Sequence, residues 1–232
     1  MPAKNILKSY IENGYYHIYN RGVEKRIIFQ DEQDYRVFLH YLKLYLSPPD
    51  SLRDVYKVYK GLSFVDPPRE RPLNNFSQEI TLMTYSLIPN HFHLLLKQKP
   101  AHAIEKFMRS LGTKYVQYFN KRYQRVGPLF QDTYKAVLVK TNEQLLHLSR
   151  YIHLNPTKDN NNSTLRKMLL EGYSSYLEYL GKRKSDWIYP EEILSFFKTT
   201  QKTNFKDILS YQSFVEDYQQ TPEEILGKII LE

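Results

Sequence analysis

Hydrophobic and polar positions alternate along some stretches of the chain and recur at helical spacing along others. Residues 15–22 alternate and stop at a glycine, which predicts a first strand. Residues 32–46 carry apolar side chains three and four positions apart, behind Asp31, a residue type that caps helices. Prolines at positions 48 and 49 predict the end of this helix.

The same two periodicities run through the middle of the chain. Residues 79–88 and 91–98 are predicted to be strands, joined by a Pro-Asn turn as a hairpin. Residues 103–123 carry an apolar helical stripe, residues 134–139 indicate a further strand, and residues 142–154 are helical in pattern. The chain therefore continues as strand, strand, helix, strand and helix.

This order of elements predicts an α+β fold of the ferredoxin-like (βαββαβ) kind, with an antiparallel sheet and helices on one face. The first and third strands are the central pair of such a sheet. Residues 48–78 contain five prolines and are predicted to form a long loop. We expect one domain over residues 1–180 and a helical C-terminal extension over residues 181–232. Short helices are predicted at 173–180, 190–197, 205–218 and 222–230.

Two histidines one residue apart open the third predicted strand. His91 and His93 point to one face of that strand, while Phe92 and Leu94 point to the other. Two neutral imidazoles aimed at one spot suit a divalent metal ion. The alternative is a pair of polar residues on the wet face of a half-buried strand.

Composition narrows the chemistry that such a site can use. The 232 residues include no cysteine, which excludes disulfides and thiolate metal sites. Any metal ion must be bound by side chains of His, Asn, Gln, Asp or Glu. The first residues lack the apolar core of a signal peptide, and no apolar stretch is long enough to span a membrane. We expect a soluble cytoplasmic protein.

The charge distribution predicts a nucleic-acid partner. The formal net charge is +8, and residues 101–150 hold nine basic and three acidic residues. Aromatic side chains interleaved with basic ones can stack on unpaired bases, although most aromatics in any chain belong to the core. Solvated surface is the alternative for the basic residues. The candidate DNA-binding residues are Arg21, Lys114, Tyr115, Lys121, Arg122 and Arg125.

The helix predicted at residues 142–154 carries further residues of the candidate site. Asn142 is its predicted N-cap, and Tyr151 and Asn155 lie one turn apart on one side of it. If this helix packs beside the histidine strand, the Asn155 side-chain oxygen becomes a third metal ligand and Tyr151 stands beside the metal as a nucleophile. The alternative for Tyr151 is an amphipathic ring at the edge of the core.

Five motifs stand in one order along the chain, and together they resemble the REP-associated tyrosine transposases and the related single-tyrosine HUH transposases of bacterial insertion sequences. The resemblance covers roughly residues 10 to 180. The motifs are YHIYNRG at 16–22, PNHFHLL at 89–95, YFNKRY at 118–123, GPLFQ at 127–131 and YIHLNP at 151–156.

The resemblance implies an enzyme that cuts and rejoins single-stranded or hairpin DNA without ATP, through one tyrosine and one divalent metal ion. His91 and His93 match the metal-binding pair, and Tyr151 matches the nucleophile. Asn155 falls where many relatives carry a glutamine as third ligand, and its side chain is shorter. The implied metal is Mg²⁺ or Mn²⁺, and we expect a monomer or a homodimer.

Two other classes of function remain open from the sequence. The chain could be a non-catalytic binder of single-stranded or hairpin DNA, such as a regulator that kept the fold. It could also be a metal hydrolase in which Tyr151 is incidental. That second class needs an acidic general base near the histidines, and neither the histidine strand nor the Tyr151 helix offers an obvious one.

Overall fold

The structure is a computed structural model that describes residues 10–49, 74–157, 165–197, 210–217 and 226–227. Most of the predicted loop at 48–78 and most of the predicted helix at 222–230 lie outside these residues. These residues contain four strands, and the bounds of the strands follow the predicted ones closely. They are β1 (Tyr15–Arg21), β2 (Ile80–Ile88), β3 (His91–Gln98) and β4 (Lys135–Val139).

The four strands form one sheet in the order β2-β3-β1-β4, and every neighbouring pair is antiparallel. This is the strand order of the ferredoxin-like fold, so the predicted fold class is confirmed. Strands β3 and β1 are the central pair, as predicted. In their register Arg21 lies opposite His91, and Tyr19 lies opposite His93.

Two long helices cover one face of the sheet. They are α1 (Glu32–Leu46) and α2 (Ala103–Arg122). Their apolar stripes bury Ile18 of β1, with Phe92 and Leu94 of β3, in the larger hydrophobic core. The apolar side of the histidine strand therefore faces these helices, as the alternation predicts.

The opposite face of the sheet is covered by α3 (Asn142–Leu154) and by short helices that follow it. The helix packs through Leu148 and Ile152 against Leu95 of the sheet. The short helices are α4 (Leu165–Glu171), α5 (Tyr176–Tyr179), α6 (Glu191–Ser195) and α7 (Tyr211–Glu216). Helices α5 and α6 are shorter than the predicted helices at 173–180 and 190–197, α4 was not predicted, and the predicted helix at 205–218 lies partly outside the described residues. Within the described residues no helix has the length and apolar character needed to cross a membrane.

Polar contacts hold α3 against α7. The buried His153 ring lies between Tyr211 and Ser175, with Nδ1 2.8 Å from the tyrosine hydroxyl and Nε2 2.8 Å from the serine hydroxyl. Arg150 donates to the Phe214 carbonyl at 3.2 Å, and its guanidinium lies over that ring. The orientation of α3 is therefore fixed by its apolar contacts with the sheet and by these polar contacts on its other side.

Helix capping agrees with the sequence at α1 and differs at α3. The Asp31 carboxylate accepts from the Asp34 amide at 3.2 Å, as predicted. At α3 the N-cap is Thr141, whose hydroxyl accepts from the Gln144 amide at 3.1 Å. The prediction of Asn142 as the cap is therefore wrong by one residue, since two adjacent polar residues of the capping type compete for the position.

Acid should destabilise the folded protein through the buried His40 on α1. Burial, with a smaller contribution from Lys43, lowers the pKa of His40 from its usual 6.5 to about 4. The unfolded chain therefore takes up a proton below pH 6.5 that the folded protein refuses until about pH 4. We expect this residue alone to cost about 1.4 kcal/mol of stability per pH unit across that window.

Urea unfolding between about pH 7.5 and about pH 5.5 measures this effect. The variant His40→Leu should show a shallower fall in unfolding free energy than the parent. An identical slope in parent and His40→Leu would contradict the assignment.

Candidate active site

The two histidines of β3 lie on the sheet face that α3 covers. The ring centroids of His91 and His93 are 5.0 Å apart, and the ring planes are nearly perpendicular at 88°. His93 is fully buried in the middle of the sheet, whereas His91, at the start of the strand, is half-buried. The pair therefore has one end inside the protein and one end at its surface.

Helix α3 brings Tyr151 and Asn155 to the same place. The Tyr151 ring meets the His93 ring edge-on, with centroids 5.6 Å apart. The Asn155 amide nitrogen lies 2.9 Å from His93 Nε2. Asn155 ends α3 and begins a single turn of 3₁₀ helix that runs to residue 157. The residue after Asn155 is Pro156, which interrupts the α-helical pattern.

A third histidine belongs to this cluster and was missed by the sequence analysis. His17 of β1 is fully buried, and its Nε2 lies 2.9 Å from His93 Nδ1. Its ring stacks on the His93 ring, with centroids 5.1 Å apart and planes 17° from parallel. The signal was available: His17 occupies the site face of a strand that is predicted to pair with β3.

The donor atoms present suit a divalent metal ion. His91 Nδ1 lies 2.6 Å from Asn90 Oδ1, so Nε2 is the ring nitrogen through which His91 would bind a metal ion. Among the described residues no group of three His, Cys, Asp and Glu side chains is placed to hold a metal. The ligands available here are instead two imidazoles and the Asn155 amide oxygen, a mixed nitrogen and oxygen set.

The side chain of Ser86 carries a buried hydroxyl that is not used in a hydrogen bond among the described residues. In the β2–β3 register it lies directly opposite His93. Its hydroxyl is buried and has no hydrogen-bond partner among the described residues. Buried polar groups normally have a partner, so this orphan oxygen fits a place that a metal ion with its water would complete.

Burial restricts the direction from which a substrate can arrive. Tyr151 is 3% exposed, Asn155 is 5% exposed and His93 has no exposed surface. The exposed side of the cluster is the His91 end, at the β2–β3 turn. Any ligand that reaches this cluster must therefore approach along this end of the sheet.

Arg21 lies at that end on the site face. It is the strand neighbour of His91 across β1 and β3. Its guanidinium donates to the Gln131 side chain at 3.2 Å. This placement sets a cation beside the exposed histidine, where it can contact a phosphate.

The backbone gathers three segments around this end of the sheet. The Gly22 amide donates to the Asn90 carbonyl at 2.9 Å, and the Val23 amide donates to the Leu129 carbonyl at 2.9 Å. These segments carry cations that the sequence analysis did not select, Lys25 and Arg26. The Arg26 guanidinium lies 3.7 Å from the exposed Glu24 carboxylate through its terminal nitrogen, and its buried Nε has no hydrogen-bond partner among the described residues.

The remaining DNA-binding candidates differ in what they can do. Lys121 is exposed at the end of α2, and Lys114 is half-buried on the same helix. Arg125 donates to the Asn120 side chain at 3.0 Å and lies over the Phe119 ring. Lys121 and Arg125 remain candidates for phosphate contact at the surface.

Two of the candidates have structural contacts instead. Tyr115 has no exposed surface, and its hydroxyl donates to the Ile28 carbonyl at 2.5 Å. A ring without exposed surface cannot stack on a base, so the prediction for Tyr115 is wrong. Arg122 forms ion pairs with Asp31 and Asp34 at the start of α1, and its guanidinium holds the pKa of Asp31 below the usual range. Its charge is already neutralised within the protein.

Comparison with known proteins agrees with the resemblance inferred from the motifs. Residues 75–155, from the strand before the histidine pair to Asn155, match the model of the IS200-like transposase family. The candidate ligands and Tyr151 all fall inside the matched segment. This match confirms the resemblance to the single-tyrosine transposases and supports a role in DNA transposition. No curated protein sequence matches the chain.

Two solved structures are similar at low level. A REP-associated tyrosine transposase bound to a REP hairpin shares 15% identity, with 81% of this chain and 92% of that chain covered and a TM-score of 0.49. A crystal structure of a proposed transposase from Deinococcus radiodurans R1 shares 16% identity, with 66% and 95% covered and a TM-score of 0.27. These similarities are too low to argue from, and the fold rests on the strand order above.

Proposed function

We propose that this protein cleaves and rejoins single-stranded DNA through a covalent link between Tyr151 and a 5′ phosphate. The observation that carries the proposal is the contact between Tyr151 and His93, whose ring centroids are 5.6 Å apart although helix and strand are distant in sequence. The histidine pair, the Asn155 amide and a phenol meet in one place, and they lie within the segment that matches the transposase family.

The chemistry follows from the side chains that meet here. The Tyr151 phenol oxygen attacks the phosphorus, the bond from phosphorus to the 3′ oxygen breaks, and the phenol proton leaves to solvent. The products are a 5′-phosphotyrosine and a free 3′-hydroxyl that takes up a proton. A second 3′-hydroxyl then attacks the link and releases the tyrosine, so the phosphodiester bond is re-formed without ATP.

We propose that Mg²⁺ or Mn²⁺ is held by His91 Nε2, His93 Nε2 and the Asn155 side-chain oxygen. A divalent ion supplies positive charge for a non-bridging phosphate oxygen and favours the phenolate, since a tyrosine of ordinary pKa, about 10, is a poor nucleophile at neutral pH. The amide nitrogen of Asn155 faces His93 Nε2 at 2.9 Å, so the amide must turn to present its oxygen.

The DNA should lie across the His91 end of the sheet. Arg21, Lys25 and Arg26 are gathered there on backbone segments that hydrogen bonds tie together. Lys121 and Arg125 extend the basic surface past the end of α2. We propose single-stranded or hairpin DNA as the partner, because an unpaired strand is narrow enough to reach the largely buried site from its exposed His91 end.

The direct test uses single-stranded DNA from the flanks of the protein's own gene. Incubation with Mn²⁺ should give a protein-DNA species that survives denaturing electrophoresis, and a chelator should prevent it. DNA binding without any covalent species would overturn the catalytic proposal in favour of the non-catalytic binder. Cleavage without a covalent species would point to a metal hydrolase.

Binding should also depend steeply on salt. Each phosphate contact on a single strand contributes a slope of about 0.7 in log affinity against log salt concentration. With about five contacts, affinity should fall by about two orders of magnitude between about 50 and about 200 mM salt. Replacing Lys121 and Arg125 with alanine should lower the slope by about 1.4, and Arg122 is left intact because its ion pairs support the fold.

Exposed lysines of the C-terminal part provide the matched control for that measurement. Replacing Lys182 and Lys184 removes the same charge from a different exposed surface and should leave the slope unchanged. Equal slopes for both double variants, or competition by plain duplex as strong as by a hairpin, would contradict the assigned DNA surface.

A further inference from the structure

His17 has no role in the chemistry described above, yet it contacts a candidate metal ligand directly. Its Nε2 lies 2.9 Å from His93 Nδ1, inside the protein where neither ring has exposed surface. A hydrogen bond between two neutral imidazoles needs a proton on one nitrogen and a lone pair on the other. The contact therefore couples the position of the proton on His93 to the position of the proton on His17.

The direction of that bond follows from the other side of the His93 ring. Nε2 of His93 faces the Asn155 amide nitrogen at 2.9 Å, as the amide is oriented in the structure. An amide nitrogen only donates, so Nε2 accepts and the His93 proton resides on Nδ1. His93 Nδ1 then donates to His17 Nε2, which acts as the acceptor.

We propose that His17 is a positioning residue that fixes His93 in the tautomer able to bind a metal ion. The inference rests on the proposed function, in which His93 Nε2 is a metal ligand. Metal-binding histidines commonly donate their second ring N–H to a neighbouring acceptor, which sets both the tautomer and the ring orientation. His91 follows the same pattern through Asn90 Oδ1 at 2.6 Å, so both histidines present Nε2.

A purely structural role for His17 predicts different behaviour. If the ring only fills the space between the strands, a phenyl ring at position 17 should serve as well. If the acceptor atom matters, glutamine should retain part of the effect, because its side-chain oxygen can accept the His93 proton. His17→Phe and His17→Gln therefore separate packing from hydrogen bonding.

The experiment measures Mn²⁺ binding without DNA, together with the tautomer of His93. In the metal-free parent, nitrogen-15 NMR of the histidine rings should show His93 protonated at Nδ1. We expect His17→Phe to weaken Mn²⁺ binding by about 10- to 100-fold, the usual cost of losing such a partner, and His17→Gln to recover part of it. Val137, the β4 neighbour of His17, gives the matched control, because Val137→Ala loses packing at the same place and should bind Mn²⁺ like the parent.

The outcomes distinguish the two proposals. A parent that binds no Mn²⁺ overturns the metal site and the role of His17 with it. A parent that binds Mn²⁺ as tightly as His17→Phe does overturns the positioning role alone. A proton on Nε2 of His93 in the parent overturns the assigned hydrogen bond, even where His17→Phe fails to fold.

Discussion

Tyr151→Phe should abolish covalent attachment and reduce DNA cleavage by about three orders of magnitude or more, the usual scale for loss of a nucleophile. The substitution removes one oxygen and keeps the ring that packs against His93 and His17. DNA affinity and stability should therefore stay close to those of the parent. Denaturing electrophoresis of protein mixed with end-labelled single-stranded DNA measures the attachment, and a filter or anisotropy assay measures the affinity.

Tyr189→Phe is the matched control, since it removes a hydroxyl from a partly exposed tyrosine outside the site. It should form the covalent species at the parent's rate. A covalent adduct that still forms in Tyr151→Phe would show that Tyr151 is not the nucleophile. Attachment at Tyr123, which is half-buried near the end of α2, would move the active site to the other face of the sheet.

His91→Ala should remove metal-dependent cleavage while the protein stays folded. His91 is half-buried at the start of β3, so its loss costs little packing, but it removes one of two nitrogen ligands. Cleavage rates over a series of Mn²⁺ concentrations and a thermal unfolding curve test the two statements together. Asn155→Ala should be milder, because water can take the place of an amide oxygen. Equal activity of the parent with and without a chelator would contradict the metal site.

His93→Ala is less informative than the sequence alone suggests. From the strand pattern, loss of either histidine should cost little packing. The structure shows that His93 is fully buried and bonded to both His17 and Asn155. Its removal takes one buried hydrogen-bond partner from each of these two side chains, at a cost of about 1–3 kcal/mol each. Lost activity in this variant therefore reports on stability as well as on metal binding.

The fold could be predicted from the sequence because its elements follow simple periods. Apolar and polar residues alternate along β3, which begins after a Pro-Asn turn, and along β1 up to Gly22. This alternation predicts which side chains share a face of each strand, and the order of elements predicts how the strands pair. The predicted approach of Tyr151 and Asn155 to the histidine strand depended on a guess about which sheet face α3 covers. The contacts of His153 and Arg150 with α7 hold that face in place, and they join residues about 60 positions apart.

The errors have a physical origin as well. The period of α2 places Tyr115 on the apolar stripe, and only its contact with Ile28 shows that the whole ring is enclosed. The partners of Arg122 lie about 90 positions earlier, at the start of α1, so its neutralised charge leaves no local trace in the sequence. His17 was overlooked because its importance lies in a cross-strand contact, which a strand pattern indicates only once the register is known.

The most direct test of the central claim is to identify the residue that carries the DNA. The covalent species can be treated with nuclease and trypsin and analysed by mass spectrometry. Trypsin cleaves after Arg150 and Lys158, and the peptide 151–158 contains one tyrosine, as does the longer peptide 141–158 that a missed cleavage would give. We expect a nucleotide phosphate to be attached to Tyr151 in one of these peptides. Attachment in any other peptide, or none under conditions where the DNA is cleaved, would contradict it.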